Sequence, residues 1–252
     1  MRILISLVLL VIFLFVFTRG LIFSPQAYGA FLPLVAIALV FLAVSVVVGK
    51  VHQRSEARRD RDYANFCATR GFFYLDAPAG DETGFDAFWL FQRGRNRTIR
   101  HEISGTHAGY RFTAFEYSYI TGGGRNTRRH VAAVLAWDTD TIRLPEFTLR
   151  REYLYDSLGQ LLGGHDIDFA EDPAFSDAYV LQGPNEAATR DLFTTEVRAT
   201  FSANPGQNAA AWLDRLIWWL DSPLPPPASL DLFISDGDRV RDALMSQRHA
   251  DQ

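Results

Sequence analysis

The chain has 252 residues, of which 48% are hydrophobic and 21% charged, and a formal net charge of −4. That length allows one or two domains, and the composition excludes collagen-like, disordered and disulfide-framework classes. The charge is unevenly spread: residues 1–62 hold 7 basic and 3 acidic side chains, the remainder 18 and 26, and residues 20–49 hold none.

Residues 3–17, ILISLVLLVIFLFVF, contain one polar side chain, Ser6, and the run extends to Phe23 across Thr18, Arg19 and Gly20. Twenty-one helical residues rise about 31 Å, enough to cross a hydrocarbon core. Arg19 would then snorkel to the headgroups at the far end. A second apolar run covers residues 30–49, with Pro33 in its first turns. The connection Ser24-Pro25-Gln26-Ala27-Tyr28-Gly29 is short and turn-forming. Residues 1–49 therefore read as a membrane anchor with spans at about 3–23 and 30–49. The competing reading is a cleaved signal peptide, with Arg2 as the n-region and Ala27-Tyr28-Gly29 as the cleavage site.

Lys50, Arg54, Arg58, Arg59 and Arg61 follow the second run, against Glu56, Asp60 and Asp62. The excess of cations puts residues 50–252 on the cytoplasmic side of a bacterial inner membrane under either reading. The single cysteine, Cys67, allows no intrachain disulfide, as expected in a reducing compartment, and reads as a small buried hydrophobe.

Residues 50–70 have helical composition, with Tyr63, Phe66 and Cys67 at i, i+3, i+4 and Gly71 as a stop. This juxtamembrane helix continues the second span, with Gly49 as a point of flexure. Residues 71–252 follow as one domain. Phe72–Leu75 predicts a short strand, residues 76–84 a loop, and Phe85–Phe91 a short helix or a strand. Thr98–Ser104, Tyr110–Tyr119 and Val131–Trp137 predict strands. In the middle one, Tyr110, Phe112 and Ala114 share one face, and Phe115, Tyr117 and Tyr119 the other, which places it centrally or at a bulge. Residues 121–126, TGGGRN, predict a hairpin turn, and Leu144–Leu149 a further strand. Together these make an antiparallel meander.

Beyond it, Pro184 predicts the first position of a helix starting near Glu186. A helix from Thr194 should stop at Asn204-Pro205-Gly206, Leu216–Leu220 should form a strand, and Ser229 should cap a final helix through Met245 that Gly237 weakens. The fold class is α+β: two N-terminal transmembrane helices followed by one cytoplasmic domain with an antiparallel β-meander and flanking helices.

A set of residues, taken in order, resembles a known pattern. After two spans come Ala64, Arg70-Gly71-Phe72, Gly109, Phe112, Phe115-Glu116-Tyr117-Ser118-Tyr119, Thr121-Gly122, Leu144-Pro145, Phe147 and Leu149. Then follow Asp166-Ile167-Asp168-Phe169, Pro173, Phe175-Ser176, Tyr179, Leu181, Gly183, Glu186, Arg190 and Leu192-Phe193. This order is similar to that of a family of uncharacterised bacterial two-span membrane proteins with a cytoplasmic domain of unknown function, over roughly Tyr63–Phe201 and the anchor. The matching aromatic, Gly and Pro positions imply a fold rather than a chemistry, and imply no catalytic residue.

Among chemistry-bearing segments, His165-Asp166-Ile167-Asp168, followed by Glu171 and Asp172, is a candidate metal site. It would support a membrane-tethered metal-dependent hydrolase. The competing reading puts Ile167 and Phe169 on the buried face of a strand and leaves the acids solvated. His101 and His107 are six apart and miss zincin spacing. The Gly122-Gly123-Gly124 loop lacks the Lys-Ser/Thr pair of a P-loop, and no Gly-x-Ser-x-Gly elbow occurs. No cofactor is expected, and the absence of a catalytic motif leans against an enzyme.

Charge is more informative: residues 93–151 carry 11 Arg and 5 acids, whereas residues 152–252 carry 6 Arg and 17 acids. Arg54, Arg58, Arg59, Arg93, Arg95, Arg97, Arg125, Arg128 and Arg129 are candidates to face anionic lipid, each contributing ~1 kcal/mol near the surface. Nucleic acid is not an expected partner, because no reading motif accompanies the arginines. The expected role is a membrane-tethered binding or scaffolding module with a protein partner of unknown identity.

Overall fold

The computed structural model describes residues 28–78, 84–139, 144–151 and 166–246. The expected first span and His165 lie outside the described residues. The chain divides into two compact units, residues 1–59 and 60–252.

Helix α1 is assigned over Tyr28–Arg70, through Gly49. Among the described residues it is the one helix long and apolar enough to cross a membrane. From Ile37 to Val48 its apolar side chains are largely exposed, Phe41 to 70% and Val40 to 62%. Its last turns belong to the second unit, where Tyr63 and Cys67 are buried.

An eight-stranded, wholly antiparallel sheet forms the centre of that unit. In chain order its strands are β1 (Phe73–Leu75), β2 (Arg95–His107), β3 (Tyr110–Thr121), β4 (Arg128–Asp138), β5 (Phe147–Arg151), β6 (Tyr179–Gln182), β7 (Gln207–Trp212) and β8 (Arg215–Leu220). The spatial order is β1-β2-β3-β4-β8-β7-β5-β6. Strands β2, β3 and β4 form the expected meander, with Gly122 (φ +72°) at its hairpin, where a side chain would collide with the Asn126 carbonyl, while β5, expected as its next strand, instead pairs with β6 and β7. The last four return so that β8 pairs with β4, Ala133 opposite Leu220 and Asp138 opposite Arg215.

The dual-faced apolar pattern of β3 has its cause here, because both faces of the sheet are covered. Phe112 and Ala114 join Leu135, Trp137, Leu149 and Trp218 on one face. Three helices supply much of its cover: α1, α5 (Thr195–Ala203) through Val197 and Phe201, and α6 (Pro227–Ser246) through Leu230, Phe233 and Leu244. On the other face Phe115, Tyr117 and Tyr119 meet Phe85, Phe88 and the short helix α2 (Trp89–Gln92). That helix resolves the ambiguity of residues 85–91: burying a cluster of bulky rings in a few residues takes a compact turn rather than a strand.

Two further helices, α3 (Pro173–Ala178) and α4 (Glu186–Leu192), are capped by Asp172 and Asn185, whose side chains accept from Phe175 N (3.2 Å) and Ala188 N (3.1 Å). Two helix starts therefore differ from expectation. Asn185 satisfies the first turn of α4 and Pro184 stays outside it, while α6 begins at Pro227, leaving Ser229 inside the helix.

Candidate functional site

Six of the nine candidate arginines are brought to one end of the sheet. Pairing aligns Arg95 with Ile120 and Ile120 with Arg129, so the two cations occupy one row across β2, β3 and β4. Arg128 sits opposite Thr121, and Arg125 lies exposed in the hairpin's 3₁₀ turn, Gly124–Asn126. Arg95 donates to the Gly122 carbonyl (2.5 Å), Arg97 to those of Gln92 (2.7 Å) and Arg93 (3.2 Å), and Arg129 to Ser118 Oγ (3.3 Å). Among the described residues no carboxylate lies within 4 Å of Arg95, Arg97, Arg125, Arg128 or Arg129. Half-buried Arg93 instead stacks its guanidinium over Trp89 (4.3 Å) and Tyr119 (5.5 Å). The field of these cations reaches His130: burial foremost, then Arg93 and Arg128, push its pKa below the ordinary imidazole value. Arg54 and Arg58 are exposed on α1 in the N-terminal unit, and Arg59 there is half-buried.

The acidic segment, expected on a strand, forms none at residues 166–169, though its side chains alternate in burial. Ile167 and Phe169 are buried while Asp166 and Asp168 are exposed; Ile167 N donates to Leu181 O (2.8 Å), Phe169 N to Ser176 Oγ (2.9 Å), and Arg190 to Asp168 O (2.6 Å). Asp166 accepts from Gln182 Nε2 (2.8 Å). Glu171 and Asp172 flank the guanidinium of buried Arg198 at 3.3 and 3.0 Å, which also lies 4.2 Å from the Phe169 ring. These carboxylates thus neutralise a buried cation or hold a neighbouring amide.

A second cluster joins residues that no motif links. Strand β2 carries two bulges, and a non-glycine residue in each adopts the left-handed conformation: Asn96 (φ +51°) and His101 (φ +53°). For His101 this costs about 1–3 kcal/mol. Its N–H is redirected to the Asp76 carbonyl just past β1 (2.8 Å), and its ring, 0% exposed, is set 5.1 Å from the Tyr63 ring. His101 Nδ1 then faces Tyr74 Oη at 2.9 Å, Asp60 Oδ1 at 3.3 Å and Asp76 Oδ1 at 3.6 Å. The Tyr74 hydroxyl donates to Asp60 Oδ1 (3.0 Å), and Arg100 contacts Asp76 Oδ1 (3.1 Å). Burial first, then the bond to Asp60, raises the Tyr74 pKa, so the phenol keeps its proton. The sequence gives no local sign of this convergence, because Asp60, Asp76 and His101 come from a helix, a loop and a bulge. The one available hint was a histidine inside an alternating strand pattern.

No protein-family model matches the chain, and no curated protein matches it in sequence. Among solved structures, the fold is similar to that in the crystal structure of the mycobacterial trehalose monomycolate transport factor A, TtfA, with a TM-score of 0.52, 12% identity, and coverage of 75% of this chain and 93% of that one.

Proposed function

We propose that the protein is a membrane-tethered binding or scaffolding module, anchored by two spans, whose domain lies in the cytoplasm and whose basic sheet end engages anionic lipid headgroups. The observation that carries this reading is α1. From Ile37 to Val48 every side chain but Ser45 is apolar and nearly all are exposed, on all sides of a helix, a surface that water disfavours by ~25 cal/mol per Å² and that hydrocarbon accepts. The Lys and Arg excess immediately after residue 49 supports the cytoplasmic orientation. The five arginines with no carboxylate within 4 Å among the described residues support an anionic partner, since cations already matched within the fold would gain little from one. TtfA, a protein of similar fold, is named a transport factor, and this fits an accessory role at a membrane.

Two measurements test the reading. Protease added to inverted inner-membrane vesicles should cleave within residues 50–252, whereas intact spheroplasts should protect them; the reverse pattern would discard the orientation. Full-length protein in nanodiscs should show slower hydrogen exchange at residues 95–97 and 121–129 with anionic lipid than with neutral lipid at low salt. Equal exchange in the two would discard lipid docking and leave the anchor.

A further inference from the structure

We propose that Asp60, Asp76 and His101 form a binding site for a divalent transition-metal cation, with Zn²⁺ as the natural probe. Nitrogen and oxygen ligands ~2.0–2.1 Å from a tetrahedral ion stand roughly 3.4 Å from one another. Here Nδ1 of His101 lies 3.3 Å from Asp60 Oδ1 and 3.6 Å from Asp76 Oδ1, with all three ligand atoms within 4.8 Å of one another. Both carboxylates thus approach the same ring nitrogen at the separation of neighbouring ligands, before any adjustment around an ion.

The surroundings supply what such a site needs. The His101 ring is fixed by complete burial against Tyr63, so Nδ1 is held facing the carboxylates and the ring loses no freedom on binding. Asp76 is held by Arg100, and Asp60 by the Tyr74 hydroxyl, the outer contacts that orient carboxylate ligands. Asp60 and Asp76 retain side-chain exposures of 27% and 46%, leaving a path from solvent for an ion and room for a water as fourth ligand. A buried imidazole donor disfavours Mg²⁺ and Ca²⁺, which take oxygen ligands, and favours Zn²⁺ or Co²⁺.

Without a cation the cluster is held by protons. The phenol proton goes to Asp60, so Nδ1 turns its own proton toward the phenol oxygen and the carboxylates. As the N–metal bond forms at Nδ1, the ring's single proton moves to Nε2, so the imidazole stays neutral and supplies the Nδ1 lone pair to the ion. Its consequence is mechanical. One ion ties the last turns of α1 to the end of β1 and the bulge of β2, at an edge where β1 offers only three residues of pairing.

The test uses the full-length chain in detergent, stripped with a chelator. Titration with Zn²⁺ should show one saturable equivalent and a raised unfolding temperature, and Co²⁺ should give the visible spectrum of a tetrahedral site. Asp60→Asn and Asp76→Asn should each weaken Zn²⁺ binding by more than about tenfold. Asp76 is partly exposed, so its variant should fold with the circular dichroism of the parent. No saturable binding, or the same affinity in both variants as in the parent, would overturn the site.

Discussion

Gly237 of α6 stands against Leu135 of β4 with no room for a methyl group between them. A Cβ at that position would lie 2.5 Å from Leu135 Cδ2, 3.0 Å from the Trp137 ring and 3.1 Å from that of Trp218, three side chains with nowhere to move. Helix propensity alone would favour Gly237→Ala by ~1 kcal/mol, whereas overpacking a filled core costs about 1–3 kcal/mol. The expected outcome is net destabilisation, read as a lower denaturation midpoint with an unchanged slope. The glycine that weakens the helix in isolation is what lets the helix reach the sheet.

One turn further along α6, Arg241 is 1% exposed, paired with Asp238 and Asp242, and stacked 4.1 Å from the Tyr110 ring. Asp238 also meets His107 Nδ1 at 2.5 Å. Asp238→Ala leaves buried Arg241 with the exposed Asp242 as its remaining carboxylate and an unmatched Nη1, so it should cost roughly 1–3 kcal/mol. Glu186→Ala, which breaks the exposed pair with Arg190, should cost no more than about 0.5 kcal/mol. Denaturant titration of the two variants side by side checks the contrast; similar losses would refute it.

His130 provides a pH dependence whose sign is fixed. Its pKa in the fold is below the unfolded value, so the unfolded chain binds more protons as pH falls from ~6.5. The neutral imidazole's contribution to stability is therefore present above that pH and is lost on acidification through the folded pKa. Because Arg128 is one of the causes, Arg128→Ala should raise the His130 midpoint in an NMR titration. An unchanged midpoint would show that burial and Arg93 set it without Arg128.

Cys67 is 1% exposed within the core that α1 shares with the sheet. Alkylation by iodoacetamide should be slow in the folded chain and accelerate at the concentration of denaturant that unfolds the domain. As the sole cysteine, it reports that transition without background.

Much of the fold was legible because its pattern is local. The alternation of β3, the glycines of its hairpin and the Thr194 and Asn204 bounds of α5 each follow from a few adjacent residues. Strand β7 was not legible: Gln207-Asn208-Ala209-Ala210-Ala211-Trp212 carries the residue with the highest helix propensity three times. Small side chains suit that position because Ala209 pairs with Trp218, and Ala210 with Ile217, on a strand buried on both faces. The basic end was foreseeable, since Arg95–Arg97 and Arg125–Arg129 flank segments that pair as neighbours. The Asp60–Asp76–His101 cluster was not, because it depends on a bulge that turns one histidine inward and on the docking of a helix end.

The position of β8 in the sheet has a consequence during synthesis. Strands β2, β3 and β4 can zip together as soon as they leave the ribosome, but the outer edge of β4, with Val134, Leu135 and Trp137, has no partner until residues 215–220 have been made. For that interval the nascent chain offers an apolar, ready-to-pair strand to any similar neighbour, the situation in which unfinished sheets aggregate. An anchor emerging first would hold such chains apart on a surface while they wait for their own last strand.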